Sequence, residues 1–190
     1  MSRRTVIDRK LLALMWVAVI VCQLASATLH AAAMTTNRDQ ALQTLRRYLQ
    51  LRTENADWKE YSKLITWPDE PSWDCHWVIS KYDIRQPRKI REKVVAVPVV
   101  FDRLGLFCHD FEFRPESKVM TVNYELVNRR SGWKVNAPIP DYPDIGADAL
   151  IRMLRNSAES ERETPERRAQ AETTARKITE ALTHSSATSQ

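Results

Sequence analysis

Apolar residues first recur with a helical period. Leu42, Leu45 and Leu49 fall at i, i+3 and i+7 with Tyr48 beside them, which predicts an amphipathic helix over about 38–52. Thr36-Asn-Arg-Asp39 supplies a helix start, with an acid three residues after the threonine. Asn55 can cap a second helix, on which Trp58, Tyr61, Leu64 and Ile65 share a face, and Trp67-Pro-Asp-Glu-Pro71 stops it.

The period then changes to two. Residues 73–84 are rich in aromatic and β-branched side chains and read as a strand. Trp73, Cys75, Trp77 and Ile79 would face one way, and Asp74, His76, Val78 and Tyr82 the other. A second strand, Lys93 to Phe101, is almost wholly apolar and so buried on both faces, with Pro98 marking a bulge or an edge. Asp102-Arg-Leu-Gly105 reads as a turn, Leu106 to Phe113 as a third strand, Arg114-Pro-Glu-Ser117 as another turn and Val119 to Asn128 as a fourth strand. In that last strand Met120, Val122, Tyr124 and Leu126 align. Arg130-Ser-Gly132 turns the chain into Trp133-Lys-Val135. After a loop over 138–143, a helix is expected from Asp144 to about Ser157, using Ile145, Leu150, Ile151 and Leu154. Residues 158–190 are charged, alanine-rich and poor in large apolar side chains, which predicts a flexible tail, disordered or weakly helical.

The ends change the picture. Residues 1–33 combine a basic start, the apolar run Leu11 to Val21 and small residues, which is the build of a secretory signal. Ala25-Ser-Ala27 and Ala31-Ala-Ala33 both fit a cleavage triplet, and the second would start the mature chain at Met34. The expected location is therefore periplasmic or secreted. If the leader stays on, the alternative is an inner-membrane protein with a periplasmic domain, touching the membrane only through the leader. Of the formal net charge of +5, Arg3, Arg4, Arg9 and Lys10 against Asp8 contribute +3, leaving about +2 for the rest. So small a surplus gives no ground for nucleic-acid binding.

The remaining 157 residues suffice for one domain. They hold two cysteines, Cys75 and Cys108, each followed by a histidine. Two Cys and two His could form a zinc site, but neighbouring residues on a strand point to opposite faces. The disulfide Cys75–Cys108 is the expected reading, with His76 and His109 on the reverse face and no metal or cofactor. If the cysteines lie opposite one another on antiparallel strands, Asp74 faces His109. A carboxylate beside an imidazole would make an acid–base pair or a plain salt bridge. His109, Asp74, His76 and Tyr82 are thus the candidate catalytic residues, with Tyr124 as a further one. The chain lacks a Gly-rich phosphate loop, a Gly-x-Ser-x-Gly elbow and His-Glu-x-x-His. Arg85, Arg88, Lys89, Arg91 and Lys93 form a basic stretch, either a solvated loop or a surface for an acidic partner or anionic headgroups.

Leu45-Arg-Arg-Tyr48, Trp58-Lys-Glu-Tyr61, Trp77-Val-Ile-Ser-Lys-Tyr82 and Tyr124-Glu-Leu-Val-Asn-Arg-Arg-Ser-Gly-Trp-Lys-Val135 occur in an order that resembles secreted bacterial members of the nuclear transport factor 2-like superfamily, over about 38–137. The resemblance implies an α+β cone fold, a curved antiparallel sheet wrapped around N-terminal helices with a pocket at its open end. Its members include isomerases, dehydratases, epoxide hydrolases and secretion-system scaffolds, so fold alone leaves function open. Three expectations follow. The first is a non-catalytic module binding a protein or a small apolar ligand, with a homodimer formed through the sheet face. The second is a small lyase, isomerase or hydrolase using the His/Asp pair. The third is an anchored scaffold subunit.

Overall fold

A computed structural model describes residues 37–69 and 73–187. The expected leader over 1–33, with both cleavage triplets, lies outside the described residues. The chain separates into Met1–Gln40 and Ala41–Gln190, and all of the described fold except residues 37–40 belongs to the second.

The first helix, α1, spans 37–53. Ala41, Leu45, Tyr48 and Leu49 are buried on one stripe, as the periodicity requires. Asn55, expected to start the next helix, instead ends this one. It adopts φ 59°, while Asn55 N–H donates to Arg52 O at 3.1 Å and Ala56 N–H to Leu51 O at 2.9 Å. This is the Schellman closure, in which asparagine tolerates the left-handed position. The second helix is a single turn, α2 (Trp58–Tyr61), capped by Asp57 and followed by a 3-10 turn, Ser62–Leu64.

Six strands follow: β1 (Cys75–Ile84), β2 (Arg88–Arg91), β3 (Val94–Cys108), β4 (Phe113–Arg129), β5 (Gly132–Ala137) and β6 (Asp144–Gly146). They form one mixed, curled sheet in the order β5-β4-β3-β1-β6, with β2 paired to β3. Only β6 runs parallel to its neighbour, β1. Neither turn expected at 102–105 or 114–117 exists. Those segments lie opposite each other inside the long ladder β3–β4, where Asp102 pairs with Val119 and Gly105 with Pro115 across a register shift. Glycine is needed there because a Cβ on Gly105 would sit 2.3 Å from Arg114 O. The real turn is at 109–112, where Phe111 takes φ 58°, so Leu106 to Phe113 is not one strand. Pro98 lies on a central strand, paired to Asn123, while its carbonyl accepts from Arg85 N–H at 2.8 Å. It marks neither a bulge nor an edge.

Irregular pairing in β1 at Val78, Ile79 and Lys81 breaks strict alternation. Val78 and Ile79 enter opposite cores, as adjacent strand residues do, but past the shift Tyr82 joins the core of Ile79 instead of the Val78 face expected for it. The first core joins α1, α2 and the inner face of β3–β5, and Tyr48 makes edge contacts with Tyr61, Trp67 and Tyr124 at 6.1–6.3 Å. The second is covered by α3 (Ala147–Glu159) and α4 (Pro165–Ala187).

Of the two alternatives expected over 158–190, the helical one is found from Pro165 to Ala187, as α4. Ala171, Thr174, Ala175 and Ile178 are buried along one stripe against Leu150, Leu154, Phe107 and Phe113. Alanine adds little to hydropathy, but it lets a helix approach closely. Thr174 Oγ1 donates to Phe111 O at 2.7 Å and Gln170 Nε2 to Asp110 O at 2.6 Å, tying the helix to the 109–112 turn.

Candidate functional site

Cys75 and Cys108 form the expected disulfide across directly opposed positions of β1 and β3, with Cα atoms 4.0 Å apart. It closes a separation of 33 residues. No group of three or more metal-ligating side chains gathers among the described residues.

The histidines lie beside this link, with ring centroids 6.4 Å apart. The register brings Asp74 to His109, but only through the backbone, where His109 N–H donates to Asp74 O at 3.0 Å. The His109 imidazole Nε2 instead lies 3.0 Å from Trp73 O. Asp74 is exposed, and among the described residues no ion pair links its carboxylate to either ring. The proposed carboxylate–imidazole pair therefore does not form, because strand pairing aligns main chains and leaves each side chain to its own partner. His76 is pushed down to about 4, first by burial, then by Arg52 and His109. Tyr82 lies six residues along β1, roughly 20 Å away. It packs on Phe101 at 6.1 Å and lines a separate groove with Thr53 and Arg152. Burial raises its phenol above the ordinary value.

The polar groups that do converge are ones that periodicity overlooks. Arg52, on the last turn of α1, stacks between Tyr61 and Trp73 at 4.9 and 4.8 Å and donates to Tyr61 Oη at 2.7 Å. Trp73 Nε1 in turn donates to Pro140 O at 2.9 Å, holding the 138–143 loop over the end of the sheet. Arg103 extends the inward series Val97, Val99, Phe101 on β3, two residues at a time. Its Nε and Nη2 reach Asp144 Oδ1 at 3.1 and 2.9 Å, with both side chains buried. Trp77 receives Arg103 at 4.7 Å and Lys118 at 4.0 Å.

Burial dominates the electrostatics. It lifts Asp144 to about 6 against the opposing pull of Arg103 and Arg52. It pushes Tyr48 up to about 12 and Tyr124, fully enclosed, well above its ordinary range. Tyr48, Arg52, Tyr124, Pro143 and Asp144 line a crevice with about 10 Å³ free, which is about one water's worth of space. At neutral pH the crevice holds an ionised, paired Asp144 and two neutral phenols. That arrangement fixes the β6 end of the sheet and offers no room for a substrate between acid and base.

The sequence could have yielded Arg103 and Asp144 only if β3 had been run on past Asp102, so that the arginine fell on the apolar face. Comparison with protein-family models, curated proteins and solved structures finds no match for this chain.

Proposed function

We propose that this chain is an exported, non-catalytic binding module whose cone-like fold resembles the nuclear transport factor 2-like superfamily, and that it recognises a partner through its outer surface. The observation that carries the reading is the filled interior. Tyr48, Tyr61, Trp67 and Tyr124 interlock edge to face, and the Arg103–Asp144 pair lies beside a crevice of about 10 Å³. Ligand pockets usually measure roughly 300–1,000 Å³ and bury most of their ligand; the hollows of that size here, of about 440–520 Å³, are open grooves on the surface. The disulfide supports an oxidising compartment, in line with a cleaved leader. Among the described residues no helix is long and apolar enough to cross a membrane.

The test is a combined His76→Ala, His109→Ala, Asp74→Asn and Tyr82→Phe variant, expressed with its leader in cells deleted for the protein. Rescue of the deletion phenotype and in-cell cross-links to envelope neighbours should match those of the natural chain. Lost rescue at an unchanged melting temperature would overturn the reading in favour of an enzyme.

A further inference from the structure

Two hairpin tips sit side by side at one end of the sheet. β2 turns into β3 through Glu92-Lys93, and β4 into β5 through Arg130-Ser131. Val94 pairs with Val127 and Asn128 N–H donates to Lys93 O at 2.9 Å, so the tips are neighbours. Together they carry Arg88, Lys89, Arg91, Lys93, Arg129 and Arg130 against the single acid Glu92. This local surplus of five equals the formal net charge of the whole chain, +5.

Arg88, Arg91, Lys93, Arg129 and Arg130 are exposed. None of them enters an ion pair among the described residues. The nearby acids are engaged elsewhere. Asp83 holds Arg85 at 3.1 Å, and Glu125 accepts from Asn136 Nδ2 at 2.9 Å. Gathering so many like charges costs stability through self-repulsion, which among the described residues no ion pair with Arg88, Arg91, Lys93, Arg129 or Arg130 offsets. In their midst Ile90, at a register shift in β2, is 56% exposed.

We infer that the paired tips dock on an anionic lipid surface, with the cations on headgroup phosphates and Ile90 entering the interface. The local chemistry disfavours other polyanions. Neither tip carries an aromatic side chain on which a base could stack. A protein interface of standard size needs an apolar centre, and Ile90 is the one large apolar side chain here. Docking by the tips does not involve the interior residues on which the binding-module reading rests, so either can fail without the other.

The experiment is co-sedimentation of the full exported chain with phosphatidylcholine vesicles, with and without phosphatidylglycerol. The readout is the increment in binding caused by the anionic lipid, and comparing the tip variants with the natural chain cancels what Arg3, Arg4, Arg9 and Lys10 add if the leader is retained. Each neutralised cation should cost roughly fivefold, so Arg91→Ala/Arg130→Ala should lose roughly 25-fold of the increment. Arg91→Lys/Arg130→Lys should keep it, Ile90→Ser should reduce it at unchanged charge, and about 1 M salt should abolish it. The inference is overturned if anionic lipid adds nothing, if the alanine pair retains the full increment with an unchanged melting temperature, or if the chain binds polyglutamate or DNA but not the vesicles.

Discussion

Replacing Asp144 by Asn should tilt the dependence of stability on pH. Unfolded, an aspartate titrates near 3.9, and burial lifts Asp144 to about 6. Between those values the native state keeps a proton that the unfolded chain has released. Stability therefore falls as pH rises through this window, by about 3 kcal/mol over the whole shift. His76 acts in the opposite sense. Its ordinary value of 6.5 drops to about 4, so the native state has shed a proton that the unfolded chain still binds, and stability rises over nearly the same window. The ring is partly in solvent, which makes its contribution smaller than the shift implies. In the natural chain the two slopes largely offset. In Asp144→Asn only the histidine slope remains, so stability should climb with pH between about 4 and 6. In His76→Phe it should fall, by up to about 3 kcal/mol.

Glu112 and Glu166, held low by their own hydrogen bonds, affect all three proteins alike and drop out of the differences. Depriving Arg103 of its counter-charge moves the curve of Asp144→Asn vertically without supplying either slope. The assay is urea unfolding followed by tryptophan fluorescence at several pH values, since Trp133 is buried and reports on the core. A profile for Asp144→Asn parallel to that of the natural chain would refute the reasoning.

Two further outcomes bear on the framework. Cys75→Ser/Cys108→Ser should lose about 3–4 kcal/mol, the loop-entropy value for a separation of 33 residues, seen as a melting point roughly 10 °C lower; dithiothreitol should destabilise the natural chain and leave the variant unchanged. Ile178→Ala should cost about 2–4 kcal/mol because the side chain is fully buried under α3, whereas exposed Glu180→Ala should stay within about 0.5 kcal/mol; equal urea midpoints for the two would mean that α4 does not dock.

What could be read from the sequence depended on how local the cause was. The stripe of α1 and the sulfur link were legible because helical spacing and an even cysteine count act within the chain's own grammar. The turns at 102–105 and 114–117 misled because Gly105 and Pro115 carry turn chemistry, yet they face each other across one ladder. What resembles two reversals is one bend shared by two strands. Helix α4 was legible only as a weak alternative, because its buried stripe is built from Ala171, Ala175 and Ile178, and alanine gives little sign that the helix docks. The His109–Asp74 pair was half legible. Pairing arithmetic found the right neighbours, but nothing in the sequence revealed that the imidazole would choose the Trp73 carbonyl.

The opposition of Cys75 to Cys108 has a consequence for assembly. β1, β2 and β3 form an extended hairpin whose closed end is at Glu92-Lys93, and the sulfurs sit at its far, open end. Slippage by one residue would turn a cysteine to the other face of the sheet, out of reach of its mate. A paired but slipped hairpin therefore cannot close the ring, so the covalent bond favours the native alignment over its neighbours whether it forms before or after the strands zip.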